Sequence, residues 1–401
     1  MRLLQRVLPT LRQSKKPQQK FVAHLLGLLL MLSGHATFRN LSRYSADHER
    51  TFSRWYASDF DFVSLHKAAI TEVIPPEHEQ ALVIEASVVP KSGKKTSGLD
   101  RFWNGSHGRS EKGLEISTLA WLDITDNCAY CLSVEQTPPP DKTSDAETTR
   151  VEVYLDQLAH VVSEHDLSHL RSVITDGYYS KQKFPGGVCA LGLEPIGKLR
   201  LDANRRYLYQ GPKRPGPGRP KTSDGKVNGD NLSRVEHVET EDDEMVLAHQ
   251  VLNHVPCQCN LRVVLVVDTT HHRRAVLLST DVDLDALTIY RYDKARFQIE
   301  CRFRDAKQFT GLTDGQARSQ AQLTFHFNAS LSAVTLAKLE ARQQNGDAAS
   351  GFSMASLKRR AFNQHLIERM SQPIAKGHSL EKSSPEYEQL CNYGTITETA
   401  A

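Results

Sequence analysis

The sequence predicts an α/β fold, a mixed sheet flanked by helices, and three observations carry that expectation. The β-rich runs ALVIEASVV (81–89), GLEISTLAWLDI (113–124) and CAYCLSVEQT (128–137) follow one another across a loop and a turn-like TDN, as strands of one sheet would. Val151, Leu155, Leu158 and Val162 then keep helical spacing before the short buried strand SVITDG (172–177). A strand, a crossover helix and another strand imply parallel pairing. Finally, YRYDKARFQIECRFRDAK (290–307) has a helical period after a second β region.

Taken in order, residues 1 to 70 read as helical, with a basic beginning. Within them HLLGLLLML (24–32) follows a basic stretch as the core of a secretory signal does. It begins late, however, and is too short to span a bilayer, so a buried helix is the preferred reading. The first strand ends at Pro90 and leads into the small, basic loop KSGKKTSG. TPPP (137–140) breaks the chain before the crossover helix, and a further strand is expected around Glu194 to Arg200. Residues 201–260, rich in Gly, Pro, Asn and charge, read as an insertion. LRVVLVVDTT and RRAVLLST then resume β structure as a hairpin, with His271 and His272 in a polar turn. Leu323, Phe327, Leu331 and Val334 define another amphipathic helix, and Gly346 to Ser350 loosens into a polar C-terminal region.

The chain has 401 residues, 39% hydrophobic and 24% charged, which suits a globular protein of more than one domain. Its net charge of +3 is small, but the charge is segregated. Arg2, Arg6, Arg12, Lys15, Lys16 and Lys20 open the chain without an acid, whereas Glu239 to Glu244 is almost entirely acidic, a pattern suited to meeting a polyanion with particular surfaces. Seven irregularly spaced cysteines argue against a disulfide scaffold and for a reducing compartment. The CxxC at Cys128 and Cys131 and the CxC at Cys257 and Cys259 lack zinc-ribbon spacing, and the first alternates like a strand.

At roughly 100° per residue, Arg296, Glu300 and Lys307 share one stripe of the helical segment. Ile299, Ala306 and Ala295 fall to one side; Gln298, Arg302 and Asp305 fall on the far side, where solvent is expected. A charged stripe beside a buried one suggests a cleft, although an exposed i,i+4 ion pair between Arg296 and Glu300 is the plainer alternative. Two further acids pair with Glu300. Glu85 sits within an apolar strand, where a carboxylate needs a partner such as a metal ion. Asp176 lies at the carboxyl end of the strand after the crossover, where ligand chemistry gathers in α/β sheets. Three dispersed carboxylates suit Mg²⁺ or Mn²⁺. Two such ions about 3.5 to 4 Å apart serve phosphodiester cleavage.

These residues carry a resemblance. The ordered blocks IEASVVPKSGKKTSGLDRFWNG, GLEIS, SVITDGYYSK, LRLDANRRYLYQGPK, GRPKTSDGK, LLSTD, RFQIECRFRDAKQFTGL and FHFNASL resemble a DDE transposase of bacterial insertion sequences, over roughly residues 35 to 370. The resemblance is to the cut-and-paste subgroup with a Tyr, Arg, Glu, Lys signature. It implies a ribonuclease H-like mixed sheet with a β-rich insertion before the last catalytic helix and a helical N-terminal region. Its expected divisions are 1–75 for binding DNA ends, 76–200 and 263–345 for the catalytic domain, 201–262 for the insertion, and 346–401 for a C-terminal helical region and tail. It also implies that Glu85, Asp176 and Glu300 bind two Mg²⁺ or Mn²⁺ ions, and that Arg296 and Lys307 face metal and DNA phosphate. The signature tyrosine is expected where this chain has Asp293, with Tyr292 and Tyr290 as the nearby candidates. Glu85 stands where the family has Asp, so a catalytically impaired, DNA-binding relative is an alternative, as is a metal-dependent nuclease of the same fold. Double-stranded DNA as partner, a homodimer on DNA, no membrane, and a bacterial cytoplasmic, nucleoid-associated location complete the expectations.

For DNA contacts the basic run from Lys198 to Lys221 is the richest source: Arg205, Arg206, Lys213, Arg214, Arg219 and Lys221, interleaved with Tyr207 and Tyr209, read as a phosphate-tracking surface. GPGRPK (216–221) resembles an AT-hook but lacks the arginine before its core, and a solvated loop fits it equally. Lys91, Lys94 and Lys95 are also read as phosphate contacts, against a solvated loop; the loop lacks the glycine and the Ser or Thr of an ATP-binding loop.

Overall fold

The computed structural model describes every residue except 106, 140–149, 182, 213–219, 228–233, 239, 241–243, 347–351, 376–380, 383 and 394–401. Helices α1 (Arg2–Val7), α2 (Lys16–Met31), α3 (Phe38–Arg43), α4 (Glu49–Tyr56) and α5 (Phe62–Val73) precede strands β1 (Gln80–Pro90), β2 (Asp100–Asn104), β3 (Arg109–Asp123) and β4 (Cys128–Thr137). Then come α6 (Arg150–Glu164), β5 (Ser172–Ile174), α7 (Lys183–Ala190) and β6 (Glu194–Leu199). The β-rich stretch holds β7 (Arg205–Leu208), β8 (Ser223–Lys226), β9 (Glu236–Val238), β10 (Met245–His254), β11 (Cys259–Asp268) and β12 (Arg273–Ser279). The chain closes with α8 (Ala286–Arg296), α9 (Gln298–Phe309), α10 (Gln320–Asn345), α11 (Met354–Ala375) and α12 (Pro385–Cys391).

The aliphatic run Ala81 to Ile84, buried on both faces, makes β1 the centre of the first half of the sheet. β1 pairs antiparallel with β3, and β3 with β4, while β1, β5 and β6 are parallel. The order β4, β3, β1, β5, β6 is a ribonuclease H-like mixed sheet. β12 adds antiparallel to β6, so the β-rich stretch continues the same sheet through β11 and β10. Outside the insertion one strand went unread in the sequence: Asp100 to Asn104 pairs with Arg109 to Gly113, where a loop was expected, and carries Trp103 outward at 62% exposure. An isolated five-residue segment without clean alternation gives no period to detect.

Among the described residues the outer margin of β4 has no strand beside it, and side chains from helices satisfy its backbone instead. The Asn328 amide accepts from Val134 N (3.2 Å) and donates to Val134 O (2.8 Å), and Thr335 Oγ1 accepts from Cys131 N (3.0 Å). His66 of α5 contributes a ring nitrogen 2.9 Å from Leu132 O and the other 2.6 Å from Ser332 Oγ. Cys128 and Cys131 are buried on β4 while Cys257 and Cys259 flank the turn between β10 and β11, so among the described residues the four thiols form no zinc site.

The N-terminal run is a core helix. Val22, Leu25, Leu26 and Leu29 are each at most 2% exposed, at i, i+3, i+4 and i+7, and α2 packs against α10 and α11. No helix among the described residues is long and apolar enough to cross a membrane.

Burial holds both His66 and His326 neutral, lowering each to about 4. An unfolded chain takes up protons at these sites from its ordinary pKa of 6.5 downward, while the folded chain refuses them until about 4. Stability is therefore expected to decline as pH falls from 6.5 to about 4. Urea midpoints measured across that window check this, and a flat profile would count against both buried imidazoles.

Candidate active site

Strand register builds the floor of the site. Val83 of β1 pairs with Ile174 of β5, which pairs with Ile196 of β6. Two residues further along each strand, Glu85, Asp176 and Lys198 therefore lie level on three neighbouring strands. Asp176 sits just past the end of β5, and its Oδ1 accepts from Tyr178 N (2.9 Å), capping a short 3₁₀ turn. Alternation in β1 puts Ser87 on the face of Glu85.

The roof comes from α8 and α9. The sequence suggested one helix with Arg296, Glu300 and Lys307 on a stripe; instead, two helices meet at Phe297. There the backbone tightens, Phe297 N donating to Lys294 O and Glu300 N to Phe297 O, both i to i+3 bonds. The three side chains still face β1. Arg296 Nη1 donates to Glu85 Oε2 at 2.7 Å, and Nη2 lies 3.3 Å from Glu300 Oε1. Lys307 Nζ donates to Ser87 Oγ (3.0 Å) and Val88 O (3.3 Å).

The expectation of a solvent face at Arg302 and Asp305 is overturned, for they are 4% and 7% exposed. α9 packs against both β4 and α10, so its far side is covered, and the two residues pair at 3.8 Å. Period alone separates faces of a helix but does not say how many neighbours it has.

The electrostatics are those of crowded acids. Burial, then the charges of Asp176 and Glu300, push Glu85 up to about 8 against the pull of Arg296. Burial lowers Arg296, but Glu85, Asp293, Glu300 and Asp176 together outweigh it and hold the guanidinium above its usual range. Asp293, where the signature tyrosine was expected, faces Lys198 at 3.1 Å. Burial also lowers Lys307. The three candidate acids share one neighbourhood, yet their oxygens do not all lie within 4.8 Å of one another, because Arg296 stands between Glu85 and Glu300. An all-oxygen donor set with mutually repelling charges, open in part to solvent, fits a hard divalent cation.

A second acidic group has tighter ligand spacing. His78, Asp123 and Asp126 each offer an atom within 4.8 Å of the others. They lie at the opposite end of β1, and Arg342 already binds both carboxylates, at 3.0 Å for Asp123. With a guanidinium in place of a metal, this group is a structural clamp.

Other sequence candidates are scattered. Tyr292 is hydrogen-bonded to Glu79, and burial, then Glu79, raises its pKa. Tyr290 is buried with Lys294 over its ring. Arg205 is 5% exposed and spends its guanidinium on Leu201 O and Ala203 O, a correction to its reading as a phosphate contact; its strand points it inward. Arg206 next to it is exposed, and Lys221 pairs with Asp224 at 2.9 Å beside the Tyr209 ring. Lys213, Arg214 and Arg219, with most of the AT-hook-like piece, lie outside the described residues, as does most of the acidic run from Glu239. Lys91, Lys94 and Lys95 line a cleft of about 1420 Å³. Sequence reading missed Ser87 and the pairing of Lys198 with Asp293, both of which needed strand register.

Comparison with known proteins adds one match. The family model described as DDE superfamily endonuclease matches residues 6–252, more than half of the chain, covering Glu85 and Asp176 but ending before Glu300. No curated protein matches.

Proposed function

We propose, from the premise that the chain belongs to the DDE superfamily endonucleases, that it is a DNA transposase, hydrolysing phosphodiesters at insertion-sequence ends and joining the freed 3′ hydroxyls to target DNA. The observation carrying this reading is the convergence of Glu85, Asp176 and Glu300 around Arg296. Those three acids would hold Mg²⁺ or Mn²⁺, which supplies an activated water and charge neutralisation at the scissile phosphate. Among the described residues Lys307 has no carboxylate partner, only Ser87 and Val88 oxygens, which leaves its charge for a phosphate oxygen. Arg296 positions Glu85 and Glu300 and balances their charge. Pairing of two copies on DNA, in the bacterial nucleoid, belongs to the same proposal.

A second reading is a DNA-binding relative with impaired cleavage. It is favoured by the 2.7 Å bond that draws the Glu85 carboxylate toward Arg296. Labelled terminal DNA and a supercoiled target, incubated with Mn²⁺, separate the cases. Joined products support transposition, binding without cleavage supports the impaired relative, and cutting without end preference supports a general nuclease. Glu85→Asp is expected to raise cleavage about tenfold or more, since misplacement by about 1 Å costs up to about 100-fold. No change, or a loss, would count against residue 85 as a metal ligand.

A further inference from the structure

The cleft lined by Lys91, Lys94 and Lys95 has further walls that the sequence did not reveal. Arg39 and Arg43 of α3, Arg50 of α4, Lys112 of β3 and Arg318 of the segment after α9 also face it. Glu49, the acid among its lining residues, lies 3.8 Å from Arg39. Arg50, Lys112 and Arg318 are exposed, and among the described residues none of their side chains has an ion-pair partner. Distant chain segments are fastened together to make this concave basic surface. Asp314 binds Ala36 N (2.9 Å) and His35 (2.8 Å), Ser97 N donates to Arg318 O (2.8 Å), and Lys91 donates to Gly315 O.

The cleft joins the acid site along β1, which runs from Glu85 to Pro90 at its rim, about 17 Å at strand rise. Lys307 of α9 reaches this stretch at Ser87 Oγ and Val88 O, between the acids and the rim. Cations spread over several walls, with little apolar lining beyond Phe38 and Pro90, suit a chain of phosphates better than a single small anion.

We infer that this cleft holds the backbone of the DNA flanking the bond cut at Glu85, Asp176 and Glu300, so that α3 and α4 are a wall of the substrate channel and not a separate recognition module. The inference rests on the proposed function and specifies where its substrate lies. The test is fluorescence anisotropy of an end-labelled DNA duplex without divalent metal, titrated at several salt concentrations. Arg50→Gln/Lys112→Gln/Arg318→Gln is compared with Arg171→Gln/Arg273→Gln/Arg360→Gln, which removes the same charge from exposed positions elsewhere. The cleft triple is expected to reduce the slope of log affinity against log salt by about 3, at roughly 0.9 per phosphate contact, and the control to change it little. An unchanged slope, or equal losses in both triples, overturns the inference while leaving the proposed function intact if wild type still cuts DNA with Mn²⁺. Absence of salt-dependent binding by wild type overturns both.

Discussion

Asp176→Asn is expected to lower Mn²⁺-dependent DNA cleavage by about 10³-fold, near 4 kcal/mol of transition-state stabilisation, while leaving the fold in place. The substitution removes one negative charge from the acid cluster and changes one ligand atom's chemistry. It preserves shape, and an asparagine oxygen can still accept the Tyr178 N–H bond that caps the short turn after β5. Cleavage of labelled DNA, with a thermal melt on the same preparation, separates the two effects. Retained cleavage would remove Asp176 from the reaction and with it the reading of the three acids as one site. A large fall in melting temperature would instead assign Asp176 to local structure.

The second large effect is on stability, at the far end of β1. Asp123 is fully buried, its charge is balanced by Arg342, and the His78 ring is hydrogen-bonded to it. Arg342→Met strands that carboxylate, and is expected to cost about 3 to 5 kcal/mol of folding free energy at pH 8. Burial already raises Asp123 above the usual carboxylate range, against the pull of His78 and Arg342. Without Arg342 it rises further, so the loss grows as pH climbs through the new value and shrinks in acid, where the group takes a proton. Urea denaturation at pH 5 and pH 8 measures this. Adding Asp123→Asn should recover part of the loss, because the unpaired charge goes with it. A cost below about 1 kcal/mol at pH 8 would show that the clamp behaves as a surface pair.

What the sequence disclosed here was order and local period. β1, β3 and β4 follow from alternation and β-branched runs, and Asp176 was legible because an acid and a glycine end a short apolar strand after a crossover helix. Glu300 was legible from its stripe with Arg296 and Lys307. The failures share one cause, the absence of neighbours from a one-dimensional pattern. Arg302 and Asp305 looked solvent-facing because nothing in a helical period says that β4 and α10 both cover α9. Arg205 counted as one more cation in a basic run, although strand β7 turns it inward beside the exposed Arg206. Tyr292 was one residue from the expected position, and one residue rotates a helix by about 100°, enough to send its hydroxyl to Glu79. The basic cleft draws on residues from positions 37 to 318 and has no sequence motif at all.

The margin of β4 bears on how two copies could associate. Its outward amides and carbonyls at residues 131, 132 and 134 are occupied by Thr335, His66 and Asn328, so a strand from another molecule finds no hydrogen-bonding rail there. Docking by sheet extension on that side is closed, and the protein is shielded there from the edge-to-edge stacking that leads to fibres. A partner copy must approach through helices, through the opposite sheet margin, or across shared DNA.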